Sequence, residues 1–146
     1  MRKGIISLSV LCLLFLVNCT SIYRSHRGPR QEIDTTPKLN LVQQVDSITP
    51  CDNAKDVAPM SRIKIFFKDT AQAIKTVPGK TFCYMATEYQ ENVPCVAKCF
   101  KGAFCLVPVR PLYPATTYCA HITNLGRGDT LLQGTIILTF RTRVNR

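Results

Sequence analysis

The fold is decided by a stretch near the C-terminus, FCLVPVRPLYPATTYCAHITNLGRGDTLLQGTIILTFRT, from Phe104 to Thr142. Apolar residues recur at every second position in three segments of it, a period that is typical of half-buried β-strands. Gly126 and Gly128 allow a sharp turn before the last segment. The stretch therefore predicts three strands. Their predicted inward-facing residues are Phe104, Leu106 and Pro108, then Tyr118, Ala120 and Ile122, then Ile136, Leu138 and Phe140.

Prolines at positions 108, 111 and 114 exclude a helix between the first two of these strands. Because proline lacks the N–H that a sheet ladder needs, we expect the first strand to lie at a sheet edge or to end early.

The residues upstream continue the β pattern. Ile63, Ile65 and Phe67 alternate with Arg62, Lys64, Phe66 and Lys68. Segments 42–48, 81–85 and 93–100 have the composition of strands. One helical turn is expected from Ala71 to Ile74. Recurring strand patterns without a long helix after the N-terminal leader predict an all-β sandwich.

The order of these motifs resembles bacterial Ig-like domains of the S-layer-protein (SbsA) type, over about Asp46 to Thr142. The resemblance implies an Ig-like antiparallel β-sandwich of about seven short strands, whereas the high cysteine content departs from the family pattern. The opening half is carried by Ile48-Thr49-Pro50, Asp56-Val57 and residues 62–67; the closing half is carried by Leu112, Pro114, Thr117, Tyr118, the glycine turn and residues 139–142.

The N-terminus has the pattern of an export signal. Arg2 and Lys3 precede an apolar run that is too short for a lasting transmembrane helix. The run ends in Leu16-Val17-Asn18-Cys19, which resembles a bacterial lipobox, although Asn18 departs from the usual small residue. We therefore expect a signal peptide over residues 1–18 and a lipid (palmitate-bearing) anchor on Cys19. An ordinary signal peptide and a secreted product is the alternative.

Residues 19–45 are polar and arginine-bearing, which predicts a flexible tether ahead of an Ig-like domain over residues 46–143. The formal net charge is +10, and loss of Arg2 and Lys3 with the leader lowers it to about +8. A basic surface favours anionic neighbours such as lipid phosphates or acidic polysaccharides. No basic helix or stacking platform of the usual nucleic-acid-binding modules is visible, so no nucleic-acid partner is expected.

Six cysteines follow the expected lipid-attachment site. An even number in an exported domain predicts disulfide bonds, and six cysteines allow 15 pairings. Hairpin geometry favours Cys99 with Cys105 and Cys83 with Cys95, which leaves Cys51 for Cys119. The six are Cys51, Cys83, Cys95, Cys99, Cys105 and Cys119.

A metal site built from Cys95, Cys99 and Cys105 with His121 is the alternative use of these thiols. Their spacing, C-x3-C-x5-C, does not match the paired C-x2-C pattern, and export favours oxidation. His121 is instead expected on the outer face of its strand near Cys119. The few carboxylates form no recognisable catalytic pair. We therefore predict a non-enzymatic protein with no cofactor and no metal.

Arg127, Gly128 and Asp129 form an Arg-Gly-Asp tripeptide in the predicted turn before the last strand. It resembles the integrin-binding loop of adhesive proteins, and loops on a rigid sandwich often carry recognition. The same glycine and aspartate also suit a plain turn. The sequence thus predicts an outer-membrane, lipid-anchored envelope protein with a structural or binding role, whose partner is an envelope polymer or protein. The alternative is a secreted adhesin or inhibitor that binds an integrin-type host receptor through this loop.

Overall fold

A computed structural model describes residues 34–144, and within them eleven strands and one short helix form two stacked sheets. The predicted signal peptide, Cys19 and most of the predicted tether lie outside the described residues. The elements are β1 (Lys38–Asn40), α1 (Leu41–Gln44), β2 (Val45–Thr49), β3 (Ala54–Val57), β4 (Ile63–Phe67), β5 (Ile74–Lys75), β6 (Phe82–Thr87), β7 (Asn92–Val93), β8 (Cys95–Phe100), β9 (Ala103–Pro108), β10 (Thr117–Arg127) and β11 (Thr130–Thr142).

The larger sheet has seven strands, with the main order β1-β11-β10-β6-β7; β3 also pairs with β11 and β5 with β10. The smaller sheet has four strands in the order β2-β4-β9-β8. Strand β11 joins β1 and β3 in parallel and β10 antiparallel. The all-β sandwich is confirmed, but the strand count and the two parallel pairings differ from a simple seven-strand antiparallel arrangement.

The core lies between the inner faces of the two sheets. Of the nine residues predicted to face inward on the last three strands, all but Pro108 are buried. Ile63, Ile65 and Phe67 on β4 complete the opposing face, each at most 2% exposed. The period-two prediction is therefore confirmed on both sheets.

Two local expectations were wrong, and one was correct in only one of its two alternatives. Strand β9 lies between β4 and β8 and not at an edge, although it does end at Pro108. No helix forms at 71–74, where the chain bends into β5 instead. Residues 38–45 belong to the sandwich and not to the tether, because β1 pairs with β11 and Leu41 of α1 is fully buried.

The long hairpin of β10 and β11 contains a bulge at Asn124, where the register shifts between Thr123 and Leu125. Asn124 has φ 50°, a left-handed conformation that asparagine tolerates better than most residues. Its side chain accepts a hydrogen bond from the Gly134 N–H at 3.0 Å and donates to the Lys80 carbonyl at 3.0 Å. The side chain of Asn124 therefore connects the bulge in β10 to β11 at Gly134 and to the loop before β6 at Lys80.

No helix among the residues that the structure describes has the length and apolar character needed to span a bilayer.

Candidate functional site

A groove of about 620 Å³ lies at one end of the sandwich. It lies between the segment around β7 and the loop from β9 to β10, at the opposite end of the β10–β11 hairpin from its turn. Its walls combine apolar and polar side chains, with Glu91 on one side and Arg110 on the other. The lining residues are Thr87, Glu91–Pro94, Val109–Tyr113 and Tyr118.

The groove is preformed because hydrogen bonds hold its loop at several points. The Tyr113 N–H donates to the Tyr118 hydroxyl at 2.7 Å, and the Thr142 hydroxyl donates to the Tyr113 carbonyl at 2.6 Å. The Leu112 N–H donates to the Pro59 carbonyl at 2.9 Å. A tyrosine at the start of a strand that binds backbone a few residues upstream is the tyrosine corner of Ig-like sandwiches. Burial raises the pKa of Tyr118, which keeps this hydroxyl protonated.

The rim of the groove exposes large apolar side chains beside cations. Val109 is 60% exposed and Tyr113 is 69% exposed. A second hollow of about 240 Å³ lies on the other side of segment 109–111 and includes Arg62 and Arg110 in its lining. Flat apolar groups next to guanidinium groups can hold a ligand that carries both ring faces and negative charge.

The Arg-Gly-Asp turn has a different geometry from an exposed recognition tip. Arg127 is only 8% exposed; it donates from Nη1 to Gln44 Oε1 at 3.1 Å, and its Nε lies 3.8 Å from Asp69 Oδ2. Gly128, at φ 55°, and Asp129 form a two-residue turn between the paired residues Arg127 and Thr130. Asp129 is exposed, but the arginine is occupied inside the fold.

None of the six cysteines is disulfide-bonded in the structure. Cys99 pairs with Phe104 while Cys105 pairs with Lys98, so the predicted Cys99–Cys105 partners lie on opposite faces of the smaller sheet. Cys51 and Cys119 are separated by β11. Thr139 of that strand pairs with Cys119, and its N–H donates to Asp52 on the other side.

His121 lies on the outer face of the larger sheet, as predicted. Its ring stacks on Tyr84 with centroids 4.6 Å apart, and its Nε2 is 3.4 Å from Cys119 Sγ. Cys95 and Cys99 face the interior from the other sheet, so the alternative metal set with His121 does not converge. No cluster of three or more His, Cys, Asp or Glu side chains within residues 34–144 is arranged to hold a metal ion.

The groove was missed at the sequence level, although a signal for it was present. That signal is proline at positions 108, 111 and 114, with Tyr113 before the last of them, which limits strand formation. A proline-rich loop after a buried strand also forms a stiff wall, and recognition surfaces often lie on such loops. The hydrogen bonds of Tyr113 with Tyr118 and Thr142 are tertiary contacts, which no local sequence pattern predicts.

The two stacked sheets and the tyrosine corner are typical of Ig-like modules, and the comparison with family models agrees. The model of the bacterial Ig-like domain family matches residues 41–142, and the chain belongs to this family. The copper resistance protein PcoC of Escherichia coli has a similar structure, with a TM-score of 0.51 and 17% identity over 68% of this chain and 98% of that one. CopC from Methylosinus trichosporium OB3b follows with a TM-score of 0.49 and 14% identity over 70% of this chain and 96% of its own. No curated protein sequence matches significantly.

Proposed function

We propose that this chain is a non-enzymatic cell-envelope lipoprotein, lipidated on Cys19, whose Ig-like domain of the S-layer-protein type binds an envelope partner. The observation that carries the binding role is the preformed groove, where Tyr113 and Val109 are exposed and Arg110 lies in the lining, with Arg62 in the adjoining hollow. Export and anchoring rest on the leader and on the lipobox-like sequence before Cys19.

The partner class that fits this rim best is an acidic polysaccharide. Sugar rings stack on tyrosine and aliphatic side chains, and guanidinium groups pair bidentately with carboxylates. The formal net charge of +10 supports the same class, because a basic surface concentrates anionic polymers around it. A protein partner in the envelope is the other class of occupant.

Binding is tested with the full mature protein, purified from membranes in detergent, and with polygalacturonate as the probe. The double variant Arg62→Glu/Arg110→Glu is expected to lose at least tenfold in affinity, and Tyr113→Ala to lose several-fold. The matched control is Lys98→Glu/Arg141→Glu, which reverses two exposed charges outside the groove. If both double variants lost the same affinity for polygalacturonate, the interaction would depend on net charge alone, and a binding site in the groove would be contradicted.

Anchoring is tested separately by mass spectrometry of the mature N-terminus. An acylated Cys19 at the first position supports the lipoprotein, and Cys19→Ala should release the domain from membranes. An unmodified N-terminus at Thr20 or later would instead establish the secreted alternative. The adhesin form of that alternative needs an accessible arginine, whereas Arg127 is 8% exposed.

A further inference from the structure

Two thiols, Cys83 and Cys99, point into the interior of the sandwich from opposite sheets. Cys83 lies on β6 of the larger sheet, directly opposite Ile122, which is fully buried. Cys99 lies on β8 of the smaller sheet, directly opposite Phe104, which is also fully buried. Because opposed residues on neighbouring strands point to the same face, both thiols point inward, and both pack against the core.

The two strands that carry these thiols approach each other across the open side of the sandwich, where β6 and β8 are in contact. Burial raises the pKa of Cys83 to about 11, and the charge of Cys99 acts in the same direction. Cys99 lies near the end of β8 that adjoins β5, because Ala73 forms a β-bridge with Lys101, and β5 pairs with β10 close to the start of β6. Cys95 lies at the opposite end of β8, next to Pro94, so the geometry favours Cys99 as the partner of Cys83.

The departure of the chain from the larger sheet at Pro94 explains why Cys95 does not lie opposite Cys83. If β7 continued along β6 in the register of Met85 with Val93, Cys95 would come opposite Cys83. The chain instead leaves the larger sheet at Pro94, whose carbonyl accepts a hydrogen bond from Val109 N–H at 2.9 Å. Strand β8 then pairs with β9 in the other sheet, which brings Cys99 to the interior.

We propose that Cys83 and Cys99 form a disulfide bond that links the two sheets in the exported protein. The proposal rests on the proposed function in one respect: export provides the oxidising compartment in which the bond can form. The choice of Cys83 and Cys99 as partners follows from the fold. The bridge would close a loop that contains Thr87 and residues 91–94, which form one wall of the groove. Oxidation would therefore also restrain the binding surface.

The chemistry requires a two-electron oxidant, for which a small disulfide such as oxidised glutathione suffices. One protein thiolate attacks a glutathione sulfur and releases one glutathione thiolate. The second protein thiolate then attacks the mixed disulfide at the protein sulfur and releases the other glutathione. Two thiol protons leave the protein, and two glutathione molecules are the reduced products.

The pairing is tested on the purified mature protein, folded and reduced, then oxidised with glutathione disulfide and alkylated before digestion. Trypsin releases Cys99 in peptide 99–101, and cleavage after Glu88 and Glu91 separates Cys83 (residues 81–88) from Cys95 (residues 92–98). A linked pair of peptides 81–88 and 99–101 is expected. A link between 81–88 and 92–98, or alkylated Cys83 after complete oxidation, would overturn the proposal.

Thermal unfolding gives a second measurement. Oxidation should raise Tm by on the order of 10 °C, because the bridge restricts the unfolded chain. Cys83→Ser and Cys99→Ser should each abolish that rise, whereas the exposed Cys51→Ser should retain it. If the bridge forms in vitro but cells yield free Cys83 and Cys99 under rapid alkylation, the pairing stands and the proposed export fails. Absence of the bridge in vitro overturns the pairing and leaves export unaffected.

Discussion

The guanidinium of Arg127 donates from Nη1 to Gln44 Oε1 over 3.1 Å, which connects the end of β10 to the end of α1. Its Nε also lies 3.8 Å from Asp69 Oδ2, on the loop after β4. One side chain therefore joins three parts of the chain at the turn end of the long hairpin. The arginine of the Arg-Gly-Asp tripeptide is a structural residue in this geometry.

We expect Arg127→Ala to lower the free energy of unfolding by about 1.5–3 kcal/mol, because the hydrogen bond to Gln44 and the ion pair with Asp69 are lost from a buried charged group. Urea denaturation followed by circular dichroism measures the change. The matched control is Asp129→Ala in the same turn, whose exposed side chain should matter by less than about 0.5 kcal/mol. A stable Arg127→Ala variant together with loss of host-cell attachment in Asp129→Glu would restore the adhesive interpretation.

The strand pattern of residues 104–142 predicted most of the inward face correctly, because burial on one face imposes a period of two along a strand. The positions of Tyr118, Ile122 and Phe140 follow from that rule alone. The resemblance to bacterial Ig-like domains agrees with the family assignment over residues 41–142.

Non-local contacts account for what the pattern did not predict. The composition around Lys38–Asn40 predicts a polar tether. In the structure these residues pair with β11, nearly a hundred residues away in sequence. The Cys83–Cys95 pairing was predicted from a hairpin, and the crossing at Pro94 is decided by contacts with the loop at Val109. The groove likewise depends on Thr142, which is distant in sequence from Tyr113.

Tyr118→Phe should destabilise the domain by about 1–2 kcal/mol, because the Tyr113 N–H loses its acceptor at 2.7 Å. The loss should also loosen the groove, so polygalacturonate affinity is expected to fall along with stability. Tyr84→Phe is the control, since it removes a hydroxyl from the outer face of the larger sheet. If the two variants unfold at the same denaturant concentration, the tyrosine corner does not hold this loop.

Asn124→Ala should cost about 2–3 kcal/mol, since it removes two side-chain hydrogen bonds and replaces asparagine with a residue that adopts the left-handed conformation less readily. Asn124→Gly removes the same hydrogen bonds but adopts φ 50° freely, so it should cost less than the alanine variant. Equilibrium unfolding of the pair separates backbone strain from hydrogen bonding. A glycine variant weaker than the alanine variant would show that backbone conformation is not limiting at this bulge.

The reduced domain should lose stability between about pH 9 and pH 11. Burial raises the pKa of both Cys83 and Cys95 from 9.0 to about 11 in the folded state. The folded protein therefore retains thiol protons that the unfolded chain has already released, and by linkage the stabilisation is complete below pH 9 and declines as pH rises to 11. Partial exposure of the two thiols reduces the size of the effect.

The measurement compares reduced wild type with Cys83→Ser/Cys95→Ser by urea denaturation at intervals from pH 7 to pH 11. Lysines and tyrosines titrate in both proteins, so the difference between their unfolding free energies isolates the two thiols. We expect that difference to be constant up to about pH 8.5 and then to move in favour of the serine variant. Cys51→Ser, which alters an exposed thiol, should follow wild type throughout. A difference that stays flat to pH 11 would mean that the two thiols ionise alike in the folded and unfolded chains, and that they do not face the interior.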